Sequence, residues 1–324
     1  MLLRLPLTLA SPGGRRGRLS ILIFHRVLAK PDPLFPETPD AQAFSAQMRW
    51  VASLFNVLPL SEAIDRLYQG TLPPRALSIT FDDGYADNES LAAPILQRLG
   101  LPATVFVTTD FLDGGCMWND RVIEAVRACQ SDSIDLNEAD LGRFDVASSS
   151  ARRRAIDDLL GRIKHMEPAQ RRAATDAVVA VCGGRPSPYL MMGPEQVRRL
   201  RHHNIEIGAH TTTHPILTKV SSAAARDEIV RSKARLEAVL DERIGLFAYP
   251  NGVPEQDYSA EHVEIVRAAG YSAAVTTSWG AASSRSDRFQ LPRFTPWDQT
   301  RLAYGARLIG NLRRAERRVT ALAS

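Results

Sequence analysis

The sequence predicts an α/β fold, a parallel sheet covered by helices. Three observations predict it. Strand-like and helical segments alternate along the chain. The strand-like segments are near-continuous apolar runs, as in strands buried on both faces. The chain has 324 residues, a size that α/β barrels fill as one unit.

The elements follow in order. Ser20-Ile21-Leu22-Ile23-Phe24-His25 is the first apolar run. Helical patterns follow from Ala41 to Leu54 and from Ser61 to Tyr68. Ala76 to Phe81 is the next strand. A helix fits Asn88 to Leu99 and stops at Gly100, the residue that tolerates a left-handed helix end. Ala103 to Thr108 is rich in β-branched residues and reads as a strand. Later strands are Ile205 to Ala209, Leu246 to Tyr249, Ala273 to Thr277 and Phe289 to Phe294. Helices near Glu195 to His202, Ala223 to Leu240 and Tyr258 to Ala269 separate them. From about 118 to 191 the rhythm breaks. Arg152 to Ile163 and Ala169 to Val181 are amphipathic helices, Asp132 to Ser150 reads as a loop, and no strand is evident. This stretch is expected to be a helical insertion, closed by Cys182-Gly183-Gly184-Arg185-Pro186. The expected organisation is an N-terminal extension over 1–19, a barrel over 20–298 and a C-terminal helix over 299–324.

Composition is ordinary for a globular protein, 44% hydrophobic and 23% charged. The net charge of +4 comes from scattered arginine clusters such as Arg152-Arg153-Arg154 and Arg313-Arg314, which read as solvated helix faces. No nucleic-acid recognition motif accompanies them, so no nucleic-acid partner is expected. Cys116, Cys129 and Cys182 have no paired spacing and read as free thiols of a reducing compartment. Arg4 and Pro6 break the apolar start into a poor signal peptide, and no run reaches the ~20 apolar residues that span a bilayer. A cytoplasmic location is therefore expected.

Chemistry concentrates in two motifs. Thr80-Phe81-Asp82-Asp83-Gly84-Tyr85 ends a strand with adjacent carboxylates, which are costly to bury unless their charge is used. Side chains alternate along a strand, so Asp82 and Asp83 converge only where it ends, and Gly84 permits that ending. One acid is expected to bind a metal while its neighbour moves a proton. The second motif, His210-Thr211-Thr212-Thr213-His214, follows the strand at Ile205 to Ala209. Two imidazoles and one carboxylate suit Zn²⁺ or a similar divalent ion. Both motifs fall at the carboxyl ends of predicted parallel strands, where α/β barrels keep their chemistry.

Together with Phe247-Ala248-Tyr249-Pro250-Asn251-Gly252, these motifs resemble the NodB-like polysaccharide deacetylases (carbohydrate esterase family four). The resemblance runs from about Ser20 to Phe294. Ile23-Phe24-His25-Arg26-Val27 is similar to the opening strand of the exopolysaccharide deacetylase branch, and Ser232-Lys233 and Leu291-Pro292-Arg293-Phe294 add to the likeness. The resemblance implies a distorted (β/α) barrel of about seven strands. It also implies a metal-dependent hydrolase that removes N-acetyl groups from N-acetylated sugars of a polysaccharide or glycan precursor. Asp83, His210 and His214 would then hold one divalent ion, Zn²⁺ or alternatively Co²⁺, Ni²⁺ or Mn²⁺. Asp82 would be the general base, acting on water whose pKa the ion lowers. Arg293 resembles the arginine that pairs with the catalytic aspartate, the alternative being a surface arginine. The backbone N–H of Asn251 would face the oxyanion, with turn chemistry able to present it; many relatives carry tyrosine there.

No late Leu-x-His motif supplies the usual proton donor. His25 is the candidate for that role or for substrate binding, against a structural histidine hydrogen-bonded beneath the site. Tyr249 and Trp118 are the candidate substrate contacts. Trp118 and Trp297 could stack on sugar rings or simply pack at the rim. Two other readings stay open: hydrolysis of a formamide or ureide on the same scaffold, and a non-catalytic glycan-binding protein.

Overall fold

The computed structural model describes residues 3–184, 189–295, 298–314 and 317–319. Trp297 lies outside the described residues. The strands are β1 (Ser20–Phe24), β2 (Asn56–Val57), β3 (Ala76–Phe81), β4 (Ala103–Val107), β5 (Ser133–Leu136), β6 (Gly142–Asp145), β7 (Ile205–Ala209), β8 (Leu246–Ala248) and β9 (Ala273–Val275). The helices are α1 (Arg4–Ala10), α2 (Ala41–Leu54), α3 (Leu60–Gln69), α4 (Ala93–Arg98), α5 (Trp118–Ala128), α6 (Ser149–Lys164), α7 (Pro168–Cys182), α8 (Pro194–Arg201), α9 (Ser222–Leu240), α10 (Ala260–Ala268) and α11 (Arg301–Leu312). None is long and apolar enough to cross a membrane.

Seven strands make one curled parallel sheet in the order β1-β3-β4-β7-β8-β9, with β2 paired to the first half of β3. Every residue of β1, β3 and β4 is buried, as expected for strands covered on both faces. The residues from Leu291 to Phe294 lie between the two ends of the sheet. Leu291 bridges Val275 of β9, and Phe294 bridges Leu22 of β1. They were expected to form a strand from Phe289, but the contact is limited to these bridges. Pro292 has no N–H to donate to a ladder. The seventh strand is instead the two-residue β2, too short to leave a periodic signal.

Helix ends follow local chemistry. Asp40 caps α2 by accepting from Ala43 N–H (2.8 Å), and α3 stops where Gly70 turns left-handed. The stretch from 118 to 191 is not wholly helical. Its presumed loop contains the antiparallel hairpin β5–β6, which buries Ile134 and Phe144. The acidic, Ser-rich composition masked a short alternating pattern. These residues share an apolar cluster with α5, α6 and α7, including Val122, Ile156, Leu159 and Val178.

Candidate metal centre and substrate cavity

The site forms where β1, β3, β7 and β8 end. After β3 the chain passes through two left-handed residues, Asp83 (φ +77°) and Gly84 (φ +87°). That reversal breaks strand alternation and lets both carboxylates reach one side. A Cβ on Gly84 would lie 3.1 Å from Val107 Cγ1, so the left-handed φ and this close approach both favour glycine.

His210 follows β7 directly. Its Nδ1 donates to the Ala248 carbonyl (2.8 Å), which turns Nε2 towards the acids. His210 Nε2 lies 3.4 Å from Asp83 Oδ1 and 3.9 Å from Asp82 Oδ2. His214 Nε2 is also 3.4 Å from Asp83 Oδ1. One ligand atom from each of Asp83, His210 and His214 lies within 4.8 Å of the others.

These residues fit a divalent cation. Asp83 Oδ1 is buried without a hydrogen-bond partner, because 3.4 Å is long for a hydrogen bond. A buried carboxylate oxygen facing two imidazole nitrogens suits a metal better than it suits an isolated protein interior. Electrostatics agree. Burial pushes the Asp83 carboxyl up, but the facing histidines hold it well below the usual carboxylate range. Burial pulls His214 down to about 4, keeping a neutral imidazole with a free lone pair. Burial also opposes charge on His210, yet the two aspartates push it upward.

Asp82 has a different partner. Arg293, fully buried, makes a fork of two bonds to it: Nη1 to Oδ1 at 2.6 Å and Nη2 to Oδ2 at 2.7 Å. Arg293 Nε donates to the Thr276 carbonyl (2.8 Å) and Nη1 to Thr80 Oγ1 (3.1 Å). Thr80 in turn donates to the Leu22 carbonyl (2.7 Å). Burial raises the Asp82 pKa, but the guanidinium outweighs it and keeps the carboxyl below its ordinary value.

A cavity of ≈ 750 Å³ opens over these groups and is lined by Asp82, Asp83, His210, His214, His25 and Asn251, among others. His25 is exposed on its wall rather than buried beneath the site. Asn88 Nδ2 anchors the His25 carbonyl (2.8 Å), and Asp87 accepts from Val27 N–H (3.1 Å). Asn251 has a left-handed backbone (φ +59°), and its N–H has no acceptor among the described residues. Trp118 is half-buried and lines a smaller adjoining cavity, again with His214 and Asn251. Tyr249 is a correction. Its side chain is fully buried, stacked on Tyr258 with ring centroids 4.1 Å apart, and does not line either cavity. It packs the core and is not a glycan contact.

Sequence reading missed Asp120. This residue of α5 lines the large cavity, is almost fully buried, and accepts from the Tyr85 hydroxyl (3.1 Å). Burial, and then the Asp83 charge, push its pKa up to about 7. A lone acid in an amphipathic helix carries no local signal that a cavity lies above it.

The polysaccharide deacetylase family model matches residues 69–137 and 157–274, more than half of the chain. The chain belongs to the polysaccharide deacetylase family. It is therefore a hydrolase that deacetylates polysaccharide. The matched stretches include Asp82, Asp83, His210, His214 and Asn251, whereas His25 and Arg293 fall outside them. YxkH of Bacillus subtilis (strain 168), which bears a polysaccharide deacetylase name, is 22% identical over 278 residues, covering 85% of this chain and 70% of that protein. The Streptococcus pyogenes deacetylase PplD, solved with acetate, has a TM-score of 0.61 at 18% identity and covers 92% of this chain and 99% of its own. IcaB from Ammonifex degensii has a TM-score of 0.58 at 17% identity, covering 94% and 99%. At such identities the structural likeness speaks to the fold, a distorted (β/α) barrel.

Proposed function

We propose that this deacetylase removes N-acetyl groups from N-acetylated sugars, with a divalent cation held by Asp83, His210 and His214 and with Asp82 as general base. Zn²⁺ is the preferred ion for a set of two imidazoles and one carboxylate. The observation that carries the reading is the unpartnered Asp83 Oδ1 facing two imidazole nitrogens, beside a second carboxylate that Arg293 keeps ionised. When bound, such a cation supplies Lewis-acid polarisation and a lowered water pKa.

The protein's own residues do the rest. Asp82, aimed by the Arg293 fork, accepts the proton of the attacking water. The Asn251 N–H donates to the oxygen that gains charge as water adds to the acetyl carbonyl. His25, exposed on the cavity wall, gives a proton to the departing amine as the carbon–nitrogen bond breaks, leaving acetate and an amino sugar. Trp118 offers a ring face where the adjoining cavity meets the site, a suitable seat for a neighbouring sugar. The unit that performs this chemistry is read as residues 20–298, with the insertion building one cavity wall.

The test pairs zinc content with acetate release from chitin and poly-N-acetylglucosamine oligomers. We expect one zinc per chain and released acetate. Asp82→Asn should retain zinc and lose activity by about 10²–10⁴-fold. Zinc without acetate would move the substrate from these oligomers to a differently acetylated polysaccharide. A chain that binds none of Zn²⁺, Co²⁺, Ni²⁺ and Mn²⁺ would overturn the reading.

A further inference from the structure

The turn that carries both imidazoles is an unusual piece of backbone. Thr211 and His214 have φ values of +65° and +59°, a region that a β-branched residue occupies only when its surroundings hold it there. One side of the turn is tied to the end of β4: the Thr109 and Asp110 N–H groups donate to the Thr211 and Thr212 carbonyls (3.2 and 2.9 Å). The other side is tied to a single residue of α9. Glu228 Oε2 accepts from both the Thr212 and Thr213 N–H groups (2.8 Å each), and Oε1 accepts from the Thr213 hydroxyl (2.6 Å). The Thr212 hydroxyl donates to the Glu228 carbonyl (3.1 Å). The His214 N–H donates to Thr211 Oγ1 (3.1 Å). The three threonines between the histidines thus each have a hydrogen-bonding task, and two of the three tasks end at Glu228. Two successive N–H groups aimed at one carboxylate form an anion-binding concavity that a neutral apolar side chain would leave unfilled.

We propose that Glu228 is a positioning residue of the cation site: its carboxylate fixes residues 212 and 213, and so brings the His214 Nε2 into register with Asp83 and His210. The inference rests on the metal reading above. Its physical content is geometric. Glu228 touches the turn and not the ligand atoms, so it acts by narrowing the positions that His214 can adopt. Residues of this kind usually contribute about 10- to 100-fold to metal affinity.

The experiment measures zinc affinity by competition with a chromophoric chelator, and amide hydrogen exchange at residues 212 and 213 in chelator-treated protein. Glu228→Ala should weaken zinc binding about 10- to 100-fold and speed exchange of both amides. Glu228→Gln should recover most of the affinity. Its Oε1 can accept from the two N–H groups, and its Nε2 can donate to the Thr213 hydroxyl. Thr213→Val removes only the bond to Oε1 and should weaken zinc less than Glu228→Ala does. Equal zinc affinity in the wild type and Glu228→Ala would overturn the proposal. So would a Glu228→Gln variant as weak as Glu228→Ala, which would make charge, not position, the contribution. If Glu228→Ala does not fold, unchanged zinc affinity in Thr213→Val overturns it instead. A wild-type chain that binds none of Zn²⁺, Co²⁺, Ni²⁺ and Mn²⁺ would remove the metal reading itself, a different failure from tight zinc binding that ignores Glu228.

Discussion

At the scale of single residues, the site separates two jobs that adjacent aspartates would otherwise share. Asp83 faces imidazoles and Asp82 faces a guanidinium, although the two are neighbours in sequence. The local motif said only that one acid would bind a metal and its neighbour move a proton; which does which came from the family resemblance. His210 and His214 stood out because their motif and the Asp82-Asp83 motif both fall at the carboxyl ends of parallel strands. Tyr249 was not legible. A strand residue's face depends on which side the barrel puts inward, and here Ala248 supplies its carbonyl to His210 while Phe247 and Tyr249 pack edge to face in the core. His25 is the residue whose role needs kinetics. It faces the cavity from the end of β1, anchored through its own carbonyl by Asn88, and its ring makes no hydrogen bond among the described residues. If it is the proposed proton donor to the leaving amine, it acts in the transition state, and His25→Ala should lower kcat on the order of 10²-fold with KM little changed. A raised KM at near-normal kcat would make it a substrate contact instead.

At the scale of elements, the insertion supplies a cavity wall that the sequence did not disclose. Its amphipathic helices were readable from periodicity, and the hairpin β5–β6 was hidden because four-residue strands give too few repeats. Helix α5 brings Asn119, Asp120, Ile123, Glu124 and Arg127 to the cavity, residues spaced along one helix face. The Tyr85 to Asp120 hydrogen bond joins that helix to the loop after β3. It also has a pH signature. Burial, and then the charge of Asp83, raise the Asp120 pKa from an ordinary 3.8 to about 7. Below the lower value the folded and unfolded chains both carry this proton. Between the two values the folded chain keeps a proton that the unfolded chain has lost, so stability falls as pH rises across that window. Asp120→Asn has no proton to lose. Denaturation of chelator-treated protein at pH 5 and pH 8 should therefore show the wild type losing stability relative to Asp120→Asn at the higher pH. Parallel pH dependence in the two proteins would mean that Asp120 titrates normally.

At the scale of the whole molecule, Asp82, the proposed base, is held by the segment that spans the two ends of the sheet. Arg293 lies between Leu291, bridged to β9, and Phe294, bridged to β1, and its side chain reaches across the barrel interior to Asp82 at the end of β3. Its guanidinium also binds the Thr276 carbonyl beyond β9 and the Thr80 hydroxyl of β3, so one side chain ties together elements far apart in sequence. Periodicity could not report this arrangement, since it does not say which residue fills the barrel interior 211 positions away; only the family resemblance pointed to Arg293 as the partner of Asp82. A buried ion pair is weak as a source of net stability, but removing one partner leaves an uncompensated charge, at a cost of about 3–5 kcal/mol. Arg293→Ala should destabilise the protein by that amount and abolish turnover, because Asp82 then favours its protonated form. Removing the charge from both partners tests the explanation. If the penalty of Arg293→Ala is the stranded carboxylate, the Asp82→Asn/Arg293→Met double variant should be markedly more stable than Arg293→Ala while staying inactive. Urea denaturation of the three proteins measures it. A double variant no more stable than Arg293→Ala would mean that Arg293 contributes through its ties to Thr276 and Thr80, with the pair serving Asp82 alone.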